Sequence, residues 1–179
     1  MALVRELRSR GHAVPNLDPK DGGVNATVLF LLESPGPKAV RSGFISRDNP
    51  DPSAKNMSKE LKAAGFKRSE VVLWNVVPYC VSTSLKNRNA SAAQIRDAAP
   101  DTQAFIDALP RLRAVVFCGR RAQRAYRHLR LPAGVEAVKT FHTGAMAYNR
   151  QHCRADIQAA FAHASALLRP CPTNTVQSG

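Results

Sequence analysis

Four apolar segments alternate with helical patterns along the chain, and this alternation limits the fold to a few α/β architectures. The first three segments are continuously apolar, as strands buried on both faces of a sheet are, whereas the fourth mixes in polar residues and is predicted to be an edge strand. Strands that alternate with helices form parallel sheets with right-handed crossovers. We therefore predict a three-layer α/β/α fold around a central four-stranded, mainly parallel sheet. The strand segments are residues 27–33, 71–75, 114–119 and 135–142.

The helical patterns between these strands repeat apolar residues at intervals of three and four. Pro100 must kink or split the second pattern, because proline removes a backbone donor and clashes with the preceding turn. The N-terminal segment is compatible with a short amphipathic helix. At 179 residues, the chain predicts a single domain over residues 1–169 and a loose polar tail over residues 170–179. The four helical patterns cover residues 54–64, 92–109, 120–129 and 150–168.

The charge balance indicates a polyanionic partner. Lys and Arg total 26 against 13 acidic residues, which gives a net charge of +13. Such an excess favours phosphate binding, because contacts to phosphates release condensed counterions. A basic protein with no such partner remains the alternative. The sequence contains neither an apolar run of membrane-spanning length nor the apolar core of a signal peptide, so we expect a cytoplasmic protein with no membrane partner.

The cysteines do not form a recognisable ligand or disulfide pattern. None of the four is part of a C-x-x-C pair, and no two potential metal ligands lie close in sequence. Two disulfides would be unusual in a cytosolic chain of this size. The sequence therefore predicts no cofactor and no metal. The four cysteines are Cys80, Cys118, Cys153 and Cys171.

Polar residues follow the predicted strands where each one ends. Ligands of open parallel sheets bind at the carboxyl ends of the strands. The first strand ends in Glu33-Ser34-Pro35-Gly36, the second in Asn75, the third in Gly119 and the fourth in His142. Each of these has a plain structural alternative, such as a turn or a helix cap. Their convergence at one edge predicts a site for a small planar ligand.

Five short motifs around these strand ends resemble the uracil-DNA glycosylase superfamily, in the same order and at similar intervals. LLESPG is similar to the first motif, especially its G-E-A-P-G form, and LWNVVPYC to the segment with the base-reading asparagine. FHTGAMAYNR resembles the second motif, whose histidine precedes the loop that enters DNA. SGFISRDNP lies where the family has a stacking aromatic, and CGRRAQRAY resembles the helix start after its third strand.

The resemblance implies a DNA glycosylase that excises uracil from a flipped-out nucleotide in base excision repair. Phe44 would stack on the base, and Asn75 would read its O4 and N3–H edge. His142 would hydrogen-bond O2 as negative charge develops there. Pro35 and Gly36 would border the base, with room at Gly36 for bases other than uracil.

The loop after His142 would enter the DNA. Ala145 and Met146 are the candidate apolar wedge, and Arg150 ends the same segment. Arg120, Arg124 and Arg127 recur at helical spacing and could hold phosphates, although a solvated helix face is an equal alternative for any one of them. We predict a DNA-bound monomer.

Two positions depart from the family pattern. Ser34 replaces the Asp or Asn that positions water in several branches, and His142-Thr143-Gly144 replaces His-Pro-Ser. For the water-holding and electrostatic role we favour Asp48, then Glu33, with Ser34 as a helper. Strand alternation allows Glu33 and Ser34 to point to opposite sides. The G-E-A-P-G branch also binds an iron–sulfur cluster through an early cysteine pair that this sequence lacks.

Two other functions remain open. Ser34 is compatible with a damaged-DNA-binding protein that has lost hydrolysis, which an excision assay would reveal. A flavodoxin-like enzyme acting on a small molecule would need a glycine-rich phosphate loop, and neither ESPGPKA nor CGRRA is one.

Overall fold

A parallel four-stranded sheet forms the centre of the computed structural model, which describes residues 2–82 and 88–169. Its strands lie in the order β4-β2-β5-β6, and every neighbouring pair is parallel. A second, two-stranded parallel sheet pairs β1 with β3. The strands are β1 (Asn16–Leu17), β2 (Val28–Leu32), β3 (Phe44–Ile45), β4 (Val71–Asn75), β5 (Ala114–Cys118) and β6 (Glu136–Thr140).

The four predicted strands and the three-layer α/β/α fold are confirmed. Every residue of β4 and β5 is buried, whereas β6 contains exposed, half-buried and buried residues at one edge of the sheet, as its mixed composition predicts. The short sheet of β1 and β3 is not predicted by the sequence, because two-residue strands leave no periodic pattern.

Helices flank the sheet, and their bounds agree broadly with the sequence patterns. The predicted break at Pro100 is present, since α4 and α5 are separate helices and Pro100 lies in the first turn of α5. The pattern over residues 120–129 divides into α6 and a 3₁₀ turn, Tyr126–His128. The helices are α1 (Ala2–Ser9), α2 (Pro37–Ser42), α3 (Pro52–Ala63), α4 (Ala92–Asp97), α5 (Ala99–Asp107), α6 (Arg120–Ala125), α7 (Ala145–Tyr148) and α8 (Gln151–Ala166).

Aromatic contacts identify the helix layer on each face of the sheet. Phe30 of β2 contacts Phe161 of α8, with ring centroids 4.8 Å apart. Trp74 of β4 stacks on Phe105 of α5 at 4.5 Å. Trp74 is in register with Leu31, the residue after Phe30, so the two contacts lie on opposite faces.

The same alternation determines which way the strand ends point. Leu32 and Asn75 are register partners, and both continue the face of Phe30 that α8 covers. Glu33 comes one residue later and belongs to the opposite face, where Arg121 of α6 contacts it. The carboxyl edge therefore offers two separate surfaces, one on each side of the sheet.

The predicted extent of the domain, residues 1–169, stays a prediction, and the predicted tail, residues 170–179, lies outside the described residues. Within the described ranges, no helix is both long enough and apolar enough to cross a membrane.

Candidate active site

A cavity of about 280 Å³ lies at the carboxyl edge of the sheet, on the side covered by α3 and α8. The first strand end, the end of β4 and the segment after β6 all reach it, as their common edge predicts. Leu32, Leu73 and Met57 supply apolar wall. Five of the sequence-predicted site residues line this cavity: Ser34, Pro35, Gly36, Asn75 and His142.

Asn75 brings a buried amide nitrogen without a hydrogen-bond acceptor to the cavity wall. Its side chain ends β4, the residue is only 2% exposed, and its Nδ2 has no hydrogen-bond acceptor among the described residues. A buried donor that lacks a partner costs about 1–3 kcal/mol. Asn75 can therefore bind a ligand that offers an acceptor here, and the gain would come from satisfying this group.

His142 is held in one orientation by the loop that follows it. The backbone N–H of Gly144 donates to His142 Nδ1 over 2.9 Å. A nitrogen that accepts from a backbone N–H carries no proton, so the neutral ring bears its proton on Nε2. Burial lowers the pKa of His142, and the Asp51 carboxylate only partly offsets this effect. The site thus favours a neutral histidine with an Nε2–H donor.

Two glycines allow the chain to close tightly around His142. A Cβ at Gly144 would lie 2.9 Å from His142 Nδ1, and one at Gly119 would lie 3.0 Å from its Cβ. Gly119 also has a φ of +91°, a conformation that other residues rarely adopt. Both positions therefore require glycine for the histidine to keep this position.

The His-Thr-Gly loop is anchored to α3. Thr143 is fully buried, and its hydroxyl donates to the carbonyl of Ser53 and lies 3.0 Å from the Ser53 hydroxyl. Asn56 donates to the Thr143 carbonyl over 2.8 Å. At the far end of the loop, the Tyr148 hydroxyl donates to buried Glu60. Thr143 therefore fixes the loop through hydrogen bonds to one helix.

Glu33 does not reach the cavity. Its Oε1 accepts from the backbone N–H of Ala90 over 2.6 Å and lies 3.3 Å from Arg121 Nε. Burial raises the pKa of Glu33, and these two partners oppose the shift. Glu33 and Ser34 thus lie on different sides, the arrangement that strand alternation allows.

The structure places Phe44 beside the cavity and Ile45 in its wall. The two residues form β3, where successive side chains point to opposite sides. Ile45 is buried and lines the cavity, while Phe44 is 37% exposed and does not line it. The predicted stacking position is therefore one residue away from the residue that the structure brings to the site.

The structure also keeps Asp48 away from the cavity. Its carboxylate accepts from Arg68 Nη1 at 3.0 Å and pairs with Lys20 at 3.2 Å, and these cations hold the pKa of Asp48 below its usual range. Asp51, three residues later, lines the cavity instead. Its Oδ1 accepts from the N–H of Ala54 and caps α3. Asp51 followed by Pro52 is a helix-start pattern that could have identified it from the sequence.

A groove of about 830 Å³ adjoins the cavity at His142. Its lining includes five of the six predicted DNA contacts: Arg120, Arg124, Ala145, Met146 and Arg150. Met146 is 86% exposed at the start of α7. Arg127, the third arginine of the predicted stripe, does not line the groove and lies beyond the end of α6, in the 3₁₀ turn that begins at Tyr126. Arg121, which the sequence analysis did not select, contributes to the lining.

Across the described residues, no group of three or more His, Cys, Asp or Glu side chains is arranged to hold a metal ion. Cys118 is buried in β5, and burial raises the pKa of its thiol, so it is a poor ligand as it stands. The donor set in this part of the chain does not fit the iron–sulfur cluster of the G-E-A-P-G branch.

Comparison with known proteins gives one family. The family model described as the uracil DNA glycosylase superfamily matches residues 19–169, which contain both the cavity and the groove. No curated protein matches the chain.

Proposed function

The chain belongs to the uracil-DNA glycosylase superfamily, and from this premise we propose that it is a monofunctional DNA glycosylase. It hydrolyses the N-glycosidic bond of uracil, and of related deaminated bases, in the pathway of base excision repair. The superfamily supports glycosylase activity on DNA in general. The choice of base and the roles of individual residues follow from the site.

The unpartnered amide of Asn75 is the observation that carries the proposal. Its Nδ2 is a buried donor that faces no protein acceptor within the described ranges. Uracil presents O4 as an acceptor beside the N3–H donor, which matches the two ends of one side-chain amide. Cytosine presents an amino group instead of O4 and would leave Nδ2 unpaired. Asn75 therefore favours deaminated bases over cytosine.

His142 stabilises the leaving base. When the bond between C1′ and the base nitrogen breaks, its electron pair goes to the base and negative charge builds up on O2. An Nε2–H donor, fixed in place by Gly144, stabilises that charge without having to reorient. A neutral histidine suits this role because it donates a hydrogen bond and keeps its proton.

Water completes the hydrolysis at C1′. The sugar becomes cationic as the base leaves, so a nearby carboxylate stabilises it and can accept the proton that the attacking water loses. Asp51 is the carboxylate that lines the cavity, and it takes the role that the sequence predicted for Asp48. Ser34 lines the same cavity and helps to orient the water. The products are the free base and an abasic site.

The apolar wall holds the faces of the base. Ile45, Met57 and Leu73 lie around the cavity and exclude water from the base. A Cβ at Gly36 would meet no atom within 4 Å, so there is open space beside the first motif. This space accommodates modified bases, and we expect excision of other deaminated bases besides uracil.

Incubation with oligonucleotides that each carry one lesion, followed by alkaline cleavage, tests the proposal. We expect strand breaks at uracil and at some further deaminated bases, and no breaks at cytosine. DNA binding without cleavage of any strand would favour a binding protein that has lost the hydrolytic step. Strict confinement to uracil would contradict the role of the space at Gly36.

The pH dependence of excision reports on His142. Its neutral form is the active one and burial lowers its pKa, so the rate should hold as the pH falls to about 6.5, the ordinary histidine pKa, and decline only below it. Single-turnover rates give the profile when they are measured from about pH 4.5 to about pH 8.5, roughly two pH units on either side of that value. Gly144→Ala displaces the ring and should move the decline to higher pH. A decline centred above the ordinary value in the unaltered protein would contradict a buried neutral His142.

Salt dependence reports on the arginines of the groove. We expect the logarithm of the binding constant to fall linearly with the logarithm of salt, with a slope of about 0.9 for each phosphate contacted on duplex DNA. The slope should fall by about 0.9, the value for one phosphate contact, in each of the variants Arg120→Gln, Arg124→Gln and Arg150→Gln. Arg127→Gln is the matched control, because this arginine is exposed but does not line the groove. Equal changes in all four variants would show that the groove is not the phosphate-binding surface.

A further inference from the structure

The groove beside the cavity is much larger than a phosphate contact requires. At about 830 Å³ it has roughly three times the volume of the base cavity, and His142 borders both. A nucleotide whose base occupies the cavity therefore has its neighbour in the strand close to the groove. The wedge and phosphate contacts account for Ala145, Met146 and the arginines of the lining, but not for Glu33 and Phe141.

The groove lining combines positive charge with one carboxylate. Arg120, Arg124 and Arg150 provide positive charge around the groove. Glu33 also lines it, with Oε1 fixed by Ala90 and Arg121. A carboxylate disfavours a phosphate but accepts hydrogen bonds from the amino group of a base. The groove therefore suits a whole nucleotide, with its phosphate at the arginines and its base edge toward Glu33.

Phe141 gives this groove an aromatic surface. The ring lies in the lining, is 39% exposed, and meets the His152 ring edge-on at 6.0 Å between centroids. Bases stack on such exposed rings in proteins that bind single strands. In duplex DNA, the neighbouring base stays paired with the opposite strand, and the face that the flipped nucleotide uncovers is the one that the Ala145 and Met146 wedge covers, so that base would have to leave its pair to reach Phe141.

We propose that the groove binds the nucleotide next to the excised one as an unstacked base on Phe141, which makes single-stranded DNA the preferred substrate. This inference rests on the proposed function, because it places the excised base in the adjoining cavity. Two observations support the inference. The arginines of the groove carry positive charge that complements the phosphates of the strand, and the exposed ring of Phe141 lines the same groove.

Fluorescence anisotropy with single strands and matched duplexes tests the inference. Phe141→Leu keeps an apolar side chain but removes the stacking face, and it should weaken single-strand binding by roughly 5- to 150-fold, the range for one base–aromatic stack. Duplex binding should change much less. Tyr126→Leu is the matched control, because Tyr126 is 40% exposed and does not line the groove.

Strands that lack one base identify the stacked neighbour. An abasic analogue placed on one side of uracil should weaken binding to the unaltered protein and remove the difference from Phe141→Leu, whereas on the other side it should have little effect. Equal binding of all these strands, or equal losses on single strands and duplexes in Phe141→Leu, would overturn the inference. Uracil excision measured in parallel separates the two proposals, because normal excision with such results contradicts only the inference. Absence of excision contradicts the proposed function, whatever the binding data show.

Discussion

Replacing His142 or Asn75 with alanine is expected to lower the single-turnover rate of uracil excision by roughly 10²–10³-fold, the usual cost of one oxyanion-type donor. The two losses arise differently. His142→Ala removes the donor that acts on O2 as charge develops, so the rate of the chemical step should fall while DNA binding persists. Asn75→Ala removes a buried donor that has no acceptor among the residues that the structure describes, so base discrimination should weaken together with the rate.

The controls use the same residue types outside the cavity. His128→Ala and Asn149→Ala change exposed residues that line neither the cavity nor the groove, and they should leave the rate within a few-fold of the unaltered protein. Thermal unfolding should show that neither Asn75→Ala nor His142→Ala loses the fold. Retention of the full rate by both cavity variants would exclude this cavity as the active site.

The positions of Ser34 and Asn75 follow from the sequence because continuous apolar strands have few alternatives. Both residues come at or just after the end of a buried strand, and His142 joins them because its mixed edge strand is parallel to the others and ends at the same edge. The opposite orientations of Glu33 and Ser34 also follow from the period of two in a strand. Pro100 predicts the break between α4 and α5 for an equally local reason.

The positions of Phe44 and Asp48 depend on contacts with residues far away in the sequence. Phe44 points away from the cavity because β3 pairs with Asn16–Leu17, a partner almost thirty residues earlier that no periodicity indicates. Asp48 is held by Arg68, which lies twenty residues later in the chain. Propensity and spacing describe neither pairing, so the residues that face the cavity differ from the predicted ones by one and three positions.

The substitution of Thr143 for the family's proline has a structural explanation in α3. A proline stiffens a loop through its own ring, whereas Thr143 is fixed by hydrogen bonds to Ser53 and Asn56. Glu60, on the same helix, holds the other end of the loop through Tyr148. Since Asp51 caps α3, one helix positions both the cavity carboxylate and the loop that carries Met146.

The variant Asp51→Asn tests whether Asp51 or Asp48 is the carboxylate that assists the attack of water. Asparagine caps a helix about as well as aspartate, so α3 should form, with a loss of only about 0.3–1 kcal/mol from the helix dipole. The negative charge near the sugar is gone, and we expect single-turnover excision to slow by roughly 10²–10⁴-fold, as when a general base is removed. DNA binding should change little, because Asp51 lines the base cavity and not the arginine groove.

Asp48→Asn is the matched control for this variant. It removes the same charge three residues away, from a carboxylate that pairs with Arg68 and Lys20 outside the cavity, so the excision rate should stay close to that of the unaltered protein. The pKa of His142, measured by NMR as the pH is varied, gives an independent test. Because the Asp51 carboxylate raises the pKa of His142, Asp51→Asn should lower that pKa further, whereas Asp48→Asn should leave it in place. Loss of excision in Asp48→Asn with full activity in Asp51→Asn would return the catalytic carboxylate to Asp48.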